Sequence, residues 1–180
     1  RLDYSKGLPE RIDGIGRFFD RHPERAHDLV FIQIAPPSRE DVESYQLIRA
    51  ELEQKTGEIN GARSEVDLVP IRYVNRGYSH AELYGFFRAS KIGLVTPLRD
   101  GMNLVAKEYV ACRVNDDGAL VLSEFAGAAE ELRQAWLINP YDINGMKSAL
   151  LEAFEAGEVV EEPGCPFRAS AGGPRITIMI

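Results

Sequence analysis

Short apolar runs alternate along the chain with longer segments in which apolar residues recur at helical spacing. Residues 29–35 form the first run, Leu-Val-Phe-Ile-Gln-Ile-Ala, which is typical of a strand buried on both faces of a parallel sheet. Before it, Ile12, Ile15 and Phe18 recur with the spacing of one helix face. Because strands and helices continue to alternate in this way, the pattern predicts an α/β fold in which a Rossmann-like parallel sheet is flanked by helices.

Local signals set the bounds of the later elements. Ser38 and Ser79 each precede an acidic residue by three positions, which is the spacing of a capping box and predicts a helix start. Gly57 and the Asn60-Gly61 pair are expected to end the first of these helices. The remaining predicted strands are 69–74, 92–96, 119–122 and 136–138, and the remaining predicted helices are 103–112, 126–135 and 143–156.

The character of the sequence changes after residue 156. Residues 1–156 are expected to form one domain, which is incomplete at its N-terminal side because the chain opens at Arg1 without an initiator Met and runs directly into a loop. Residues 157–180 are rich in Pro and Gly and have no clean period, so we expect an irregular tail. The chain is therefore interpreted as a fragment of a longer protein.

Composition and charge narrow the class of protein. The chain has 180 residues, 44% of them hydrophobic, and 21 Lys+Arg against 28 Asp+Glu, which gives a formal net charge of −7. This acidic balance argues against a nucleic-acid partner, because such binding needs Lys and Arg to neutralise phosphates. No apolar stretch approaches the ~18 residues that span a bilayer, so no membrane partner is expected. Two widely separated cysteines, Cys112 and Cys165, fit reduced thiols in the cytoplasm better than a disulfide scaffold.

Loops at the carboxyl ends of the predicted strands contain the candidate chemistry. Ligands bind at this edge of a parallel sheet, and anions favour the N-termini of the helices that follow. After the third predicted strand, Gly101 would let a ligand approach the backbone, Asp100 could accept hydrogen bonds from hydroxyls, and Glu108 could reach ribose hydroxyls. The N–H groups that could face an anionic group there belong to Met102, Asn103, Leu104 and Val105. The alternative that Asp100 and Gly101 form an ordinary turn before an Asn-capped helix stays open on this pattern alone.

Three basic residues lie in other loops of the same predicted edge. Arg1 and Lys6 precede the first helix, and an arginine fork together with a lysine point charge suits a diphosphate. Arg39 follows the first strand, where a cation opposes the dipole of the next helix, and this favours a functional reason for its presence. Each of the three could instead be a solvated surface charge.

The sequence gives no support to a covalent nucleophile. It contains no Gly-x-Gly-x-x-Gly or Gly-x-x-x-x-Gly-Lys-Ser/Thr run, and no Ser-His-Asp or Cys-His set at an interpretable spacing. The cysteines also lack the spacing of a metal knuckle. Binding through charges and hydrogen bonds is therefore the chemistry that the loops favour.

Five segments resemble the donor-domain motifs of one family of glycosyltransferases. They are R-L-D-Y-S-K-G (1–7), Q-I-A-P-P-S-R (33–39), T-P-L-R-D-G-M-N-L-V-A-K-E-Y-V-A (96–111), L-S-E-F-A-G-A-A (122–129) and N-P-Y-D (139–142). Through these segments the chain resembles the C-terminal half of the trehalose-6-phosphate synthases, which are retaining enzymes with two Rossmann-like domains, the GT-B architecture. The resemblance implies the donor-binding half of a GT-B glycosyltransferase.

The resemblance also implies an activity, the transfer of glucose from UDP-glucose to glucose 6-phosphate to give trehalose 6-phosphate and UDP. It implies that Arg1 and Lys6 hold the donor diphosphate and that Asp100 binds the donor sugar, which makes these three the candidate catalytic residues. The backbone from Gly101 to Val105 would contact the glucose and the phosphates, and Glu108 would hold the ribose. Neither a metal nor a cofactor is expected, because cations and helix N–H groups would stabilise the departing UDP.

The acceptor side is less defined by the resemblance. Arg39 would reach the phosphate of the acceptor, but most of the acceptor pocket would belong to an N-terminal domain that this chain lacks. The closely related glucosylglycerol-phosphate synthases share much of the pattern, and a non-catalytic nucleotide-sugar-binding or interaction fragment is the other alternative. The expected partners are UDP-glucose, glucose 6-phosphate and that N-terminal domain, and homo-oligomerisation is left open.

Overall fold

A six-stranded parallel sheet forms the centre of the structure, a computed structural model that describes residues 2–38, 41–114, 118–156 and 175–179. The strands are β1 (Leu29–Ile34), β2 (Ile71–Val74), β3 (Ile92–Val95), β4 (Ala119–Ser123), β5 (Trp136–Ile138) and β6 (Arg175–Met179). Their spatial order is β2-β1-β6-β3-β4-β5, and every neighbouring pair is parallel. The α/β fold with a parallel sheet is therefore confirmed.

Helices cover both faces of this sheet. They are α1 (Leu8–Arg21), α2 (Glu43–Arg63), α3 (His80–Ala89), α4 (Leu104–Cys112) and α5 (Ile143–Ala156). Phe31 of β1 packs in one buried cluster with α1, α2 and α5, whereas the next residue, Ile32, packs in a second cluster with α3 and α4. Consecutive strand residues point to opposite faces, so the two clusters are the two sides of one sheet. Among the described residues, no helix is both long and apolar enough to cross a bilayer.

The strand β6 occupies the middle of the sheet. It lies between β1 and β3, so these two strands pair with β6 and not with each other. The Pro- and Gly-rich pattern of the sequence predicts an irregular tail over 157–180. Within that range β6 is a regular strand, while 157–174 and Ile180 lie outside the described residues. The run Ile-Thr-Ile-Met at 176–179 has the β-branched composition that suits a strand. The domain boundary at 156 stays a prediction.

The start of α2 differs from its prediction. The helix begins at Glu43 and not at the Ser38 capping box, and Val42 precedes it in an extended conformation without a side-chain cap. Serine and aspartate also stabilise turns through the same local hydrogen bonds, so the spacing alone does not fix a helix start. The predicted start at Ser38 is therefore wrong.

The predicted end of α2 is also wrong, because the helix continues through Gly57 and Gly61 to Arg63. A Cβ at either glycine would meet nothing within 4 Å, so both lie on open helix surface. Glycine at such a position costs only about 1 kcal/mol relative to alanine. Burial of Leu52 on the opposite side of the helix is enough to outweigh that cost.

The prediction of a helix over 126–135 is wrong, because only a short 3₁₀ turn forms there, at Gly127–Glu130. The reason is a tertiary contact. Ala126 forms a parallel bridge with Asp100, and the Gly127 N–H donates to the Asp100 carbonyl at 3.1 Å. These contacts hold Ala126 in an extended conformation against a neighbouring loop, so the segment does not begin with helical geometry.

Candidate functional site

Lys6 and Asp100 form an ion pair at the carboxyl edge of the sheet. Lys6 Nζ lies 2.6 Å from Asp100 Oδ2, and the side chains are 31% and 17% exposed. Lys6 ends a short 3₁₀ turn, Tyr4–Lys6, just before α1, whereas Asp100 lies in the loop that follows β3. The structure thus brings together two of the predicted site residues, although they are 94 positions apart in the sequence.

Backbone hydrogen bonds hold the two loops in this arrangement. The N–H groups of Leu98 and Arg99 both donate to the carbonyl of Ser5, at 2.9 and 3.2 Å. Ser5 is fixed in turn by Asp3, whose Oδ1 accepts from the Ser5 N–H at 2.9 Å and from its hydroxyl at 2.7 Å. The turn that carries Lys6 is therefore attached to the loop that carries Asp100.

The Asp3 carboxylate is stabilised in its ionised form. Burial alone would raise its pKa, but hydrogen bonds from Ser5, a 3.2 Å hydrogen bond from the Tyr45 hydroxyl and the charge of Lys6 together lower the pKa below the usual value of 3.8. Asp3 is thus charged at neutral pH and organises the turn before α1.

Gly7 lets the start of α1 approach the end of β3. Its φ is 63°, in the left-handed region, and a Cβ at this position would clash with the Thr96 carbonyl oxygen. Glycine avoids both the backbone strain and the clash. The close approach keeps the preceding residue, Lys6, at the edge where the loop after β3 begins.

A buried arginine ties the Lys6 turn to two strands. The Arg11 residue is 1% exposed, and its Nη2 donates to the Lys6 carbonyl at 3.0 Å. Its Nε donates to Thr96 Oγ1 at 2.8 Å, and its Nη1 donates to Gln33 Oε1 at 3.1 Å. Burial lowers the pKa of the guanidinium to about 9, against the attraction of the Glu10 charge. Arg11 therefore remains a cation at neutral pH.

Sequence reasoning missed Arg11. This residue lies on the same helix face as Leu8, Ile15 and Phe18, all of them buried. A cation inside an apolar helix stripe is unusual, because arginine is rarely buried without a partner. Together with Gln33 inside the apolar run of the first strand, it is the signal that could have indicated a buried polar contact.

The loop after β4 braces the Asp100 loop. The Asp100 N–H donates to the Phe125 carbonyl at 3.2 Å, and the Gly127 N–H donates back to the Asp100 carbonyl. A Cβ on Gly127 would clash with the Gly101 carbonyl oxygen, so the approach of the two loops requires glycine at 127. The backbone of Asp100 is therefore held on both its N–H and its carbonyl by the loop after β4.

Asn103 caps α4 and holds the Asp100 carboxylate. Its φ is 70°, its Oδ1 accepts from the Ala106 N–H at 3.0 Å, and its Nδ2 donates to Asp100 Oδ2 at 3.1 Å. Lys6 and Asn103 thus both bind Oδ2. Within the described part of the chain, Asp100 Oδ1 receives no hydrogen bond. That oxygen can accept a hydrogen bond from a ligand hydroxyl.

The other predicted donor contacts follow in the same loop and in α4. Gly101 is exposed, as are Met102 and Leu104, at 43% and 64%, and Val105 is half-buried. The first N–H groups of an α-helix have no carbonyl acceptor inside the helix, so this end of α4 presents donors to an anion. Glu108 lies about one turn further along, is half-buried, and makes no hydrogen bond or ion pair with any residue that the structure describes.

Two predicted cations cannot be placed, since Arg1 and Arg39 lie outside the described residues. Over the described ranges, no group of three or more His, Cys, Asp or Glu side chains could hold a metal ion. The expectation that no metal is used stays a prediction. The residues that are placed combine a cation, helix amides and a carboxylate, and they suit a ligand with both negative charge and hydroxyls.

Proteins of known identity resemble this chain closely. Trehalose-6-phosphate synthase of Sodalis glossinidius (strain morsitans) is 53% identical over 154 residues, which are 85% of this chain and 33% of that protein. A UDP-forming alpha,alpha-trehalose-phosphate synthase from Burkholderia xenovorans, solved in complex with glucose-6-phosphate, is 49% identical with a TM-score of 0.84 and covers 86% of this chain and 34% of its own. A trehalose-6-phosphate protein from E. coli, solved with UDP-2-fluoro glucose bound, is 49% identical with a TM-score of 0.83 and the same coverage.

The chain therefore spans about a third of the length of the relatives that it matches. Both the sequence identity and the TM-scores lie well above the level at which only the fold is shared. The match to glycosyltransferase family 20 extends over residues 1–162, which is most of the chain. On this evidence the chain belongs to glycosyltransferase family 20.

Proposed function

We propose that this chain forms the sugar-nucleotide-binding part of a UDP-forming trehalose-6-phosphate synthase, which transfers glucose from UDP-glucose to glucose 6-phosphate. The observation that carries the proposal is the Lys6–Asp100 pair at the carboxyl edge of the sheet, beside the N-terminus of α4. A cation, helix amides and a carboxylate match the diphosphate and the hydroxyls of a sugar nucleotide. Two relatives support the same reading, since one binds UDP-2-fluoro glucose and the other binds glucose-6-phosphate.

The proposed donor contacts follow from these positions. Lys6 and the first-turn N–H groups of α4 would hold the diphosphate, with Arg1 as a second cation. Asp100 would accept hydrogen bonds from the glucose hydroxyls through Oδ1, because Oδ2 is already bound by Lys6 and Asn103. Glu108, which makes no hydrogen bond or ion pair with the described residues, would accept from the ribose hydroxyls.

In the proposed reaction, the bond between glucose C1 and the diphosphate oxygen breaks, and its electron pair stays on UDP. The acceptor hydroxyl oxygen bonds to C1, and its proton passes to the departing phosphate oxygen. Lys6 and the α4 amides stabilise the negative charge that develops on UDP. Asp100 orients the glucose and forms no covalent bond with it.

The acceptor side of the proposal depends on the rest of the synthase, because this chain spans only a third of its relatives. Arg39, which follows β1 in the sequence, would contribute a contact to the acceptor phosphate. The complex of the Burkholderia xenovorans relative with glucose-6-phosphate favours this acceptor over glycerol 3-phosphate. The proposed location is the cytoplasm, in keeping with the free thiol of Cys112.

Titration calorimetry of this chain with UDP and with UDP-glucose tests the donor site. Lys6→Met is expected to weaken both ligands by about tenfold or more, because a hydrogen bond to a charged group contributes about 1.5–3 kcal/mol. Asp100→Asn is expected to weaken UDP-glucose more than UDP, because Asp100 would contact only the sugar.

Lys55→Met is the matched control for these variants. Lys55 pairs with Asp13 at 2.7 and 2.8 Å between α2 and α1, and its side chain is 26% exposed, close to the value for Lys6. It should keep the wild-type affinity for both ligands. Absence of measurable UDP binding, or equal UDP affinity of the wild type and Lys6→Met, would refute the proposal.

A further inference from the structure

Arg11 is a buried residue in the first part of α1, and its guanidinium donates hydrogen bonds to three other parts of the chain. We propose that Arg11 is a positioning residue, whose guanidinium fixes the Lys6–Gly7 backbone against β1 and β3 and thereby places the Lys6 ammonium beside Asp100. The proposal rests on three hydrogen bonds to three separate segments, the turn before α1, β1 and the residue that follows β3. Its consequence for nucleotide binding depends on the proposed function, but its structural part does not.

The partners of Arg11 argue against a purely stabilising role. The three groups that accept from Arg11 are a carbonyl, a hydroxyl and a side-chain amide, and none of them is a carboxylate. Burial of a charge whose hydrogen-bond acceptors are all neutral is costly, and the attraction of the Glu10 charge offsets that cost only in part. Burial also lowers the pKa of Arg11 to about 9. The group is therefore better explained by the geometry that it imposes than by its stabilisation of the fold.

The geometry of the guanidinium suits the positioning of the turn that carries Lys6. Its planar fork donates in three directions at once, which a lysine ammonium on a flexible stem does less well. Gly7 allows the chain to approach the Thr96 carbonyl. Arg11 donates to the carbonyl of Lys6, which precedes Gly7, and to the hydroxyl of Thr96. The two residues thus act at one junction.

The junction reaches Asp100 through the backbone. Ser5, next to Lys6, accepts hydrogen bonds from Leu98 and Arg99, and Arg99 immediately precedes Asp100. A shift of the Lys6 turn would therefore change the separation of the ion pair and would weaken these two backbone bonds. Hydrogen exchange at Leu98 and Arg99 reports directly on the junction and requires no ligand.

The first test is amide hydrogen exchange, followed by NMR, in the free chain. Arg11→Met is expected to speed exchange at Leu98 and Arg99 by about tenfold or more relative to Val121 in β4, because a local opening is added to the global one. Thr96→Val, which removes only one acceptor, is expected to act in the same direction by a smaller factor. If Arg11→Met does not fold, the exchange rates in Thr96→Val test the proposal instead.

Arg113→Met is the matched control for the exchange experiment. Arg113 is also buried, at 9%, and its Nη1 donates to three carbonyls, those of Phe87, Arg88 and Ser90, at 2.8 to 3.0 Å. These carbonyls precede β3, at the edge of the sheet opposite the ion pair. This variant should lower overall stability without selective exchange at Leu98 and Arg99.

The second test is a double-mutant cycle on the affinity for UDP, with Arg11→Met, Lys6→Met and the double variant. If Arg11 acts through Lys6, Arg11→Met weakens UDP by about tenfold in the wild-type background and by less than about twofold in the Lys6→Met background. A merely structural role would give the same factor in both backgrounds and would overturn the proposal.

The two tests separate the positioning role from the proposed function. A chain that binds no UDP but shows selective exchange at Leu98 and Arg99 refutes the proposed function and supports the role of Arg11. A chain that binds UDP normally after Arg11→Met, with unchanged exchange at both amides, refutes the role of Arg11 alone.

Discussion

Left-handed backbone flanks the Lys6–Asp100 pair on both sides, at Gly7 and at Asn103. Asparagine is one of the few residues with a side chain that adopts this conformation at modest cost. At Asn103 the conformation lets one side chain cap α4 and bind Asp100 together. Unusual backbone of this kind concentrates at functional sites, where the surrounding structure maintains it.

Gly7→Ala is expected to lower the free energy of unfolding by more than about 1 kcal/mol, because alanine would meet both the left-handed φ and the Thr96 carbonyl oxygen. Urea denaturation at pH 7 measures the effect. The control is Gly57→Ala in α2, where an added Cβ meets nothing within 4 Å. That change should be neutral or stabilising by up to about 1 kcal/mol. Equal stability of Gly7→Ala and the wild type would contradict the close approach at this junction.

At the scale of elements, the short turn Tyr4–Lys6 depends on one carboxylate. Asp3 caps this turn through Ser5 and also accepts a hydrogen bond from Tyr45 of α2. The capped turn determines the direction in which the chain enters α1 and therefore where Lys6 lies. Because this turn has only three residues, its conformation should be sensitive to protonation of the Asp3 carboxylate that caps it.

Stability should accordingly depend on pH through Asp3. Its folded pKa is lowered from 3.8, so the ionised group stabilises the native state above that value, and this contribution is lost as the pH falls through the folded pKa. Asp3→Asn should therefore be less stable than the wild type at pH 6, and the difference should shrink below about pH 4. Urea denaturation across this range measures it, with Asp67→Asn, an exposed loop position, as the control. A difference that stays constant down to pH 2.5 or so would exclude Asp3 as its source.

Elements specified by local contacts were predictable, and those specified by distant contacts were not. The capping box of α3 was confirmed, because Ser79 and Glu82 satisfy each other within one turn. The segment 126–135 has a helical sequence pattern, but its first residue pairs with Asp100 and the helix does not form. Sequence patterns therefore indicate elements that local contacts stabilise, but they do not indicate pairings between residues that are distant in the sequence.

For the whole molecule, too, features that follow from local sequence patterns were predictable, and features that depend on distant contacts were not. The alternation of strands and helices predicted the parallel sheet, and the rule that ligands bind at the carboxyl edge selected Lys6 and Asp100. Arg11 was missed because its acceptors Thr96 and Gln33 lie 85 and 22 positions away. The central place of β6 was missed for a similar reason, since its composition alone says nothing about which strands it joins.

A ligand that requires the assembled site should stabilise the whole fold. UDP at about 100 times its dissociation constant is expected to raise the free energy of unfolding by about 2.7 kcal/mol, because the proposed site exists in the native state and not in the unfolded chain. Urea denaturation with and without UDP measures this shift. At the same UDP concentration the shift should fall to about 1.4 kcal/mol or less in Lys6→Met, because tenfold weaker binding leaves UDP at about 10 times its dissociation constant, and it should be unchanged in Lys55→Met. An identical shift in the wild type and Lys6→Met would show that UDP binds elsewhere.

The 94 positions between Lys6 and Asp100 have a practical consequence. A synthetic peptide that covers either loop would hold only one half of the pair, so neither should retain the nucleotide. A resin with immobilised UDP should accordingly capture correctly assembled molecules and let misfolded ones pass through, which makes retention on such a resin a direct assay of the native fraction in a preparation.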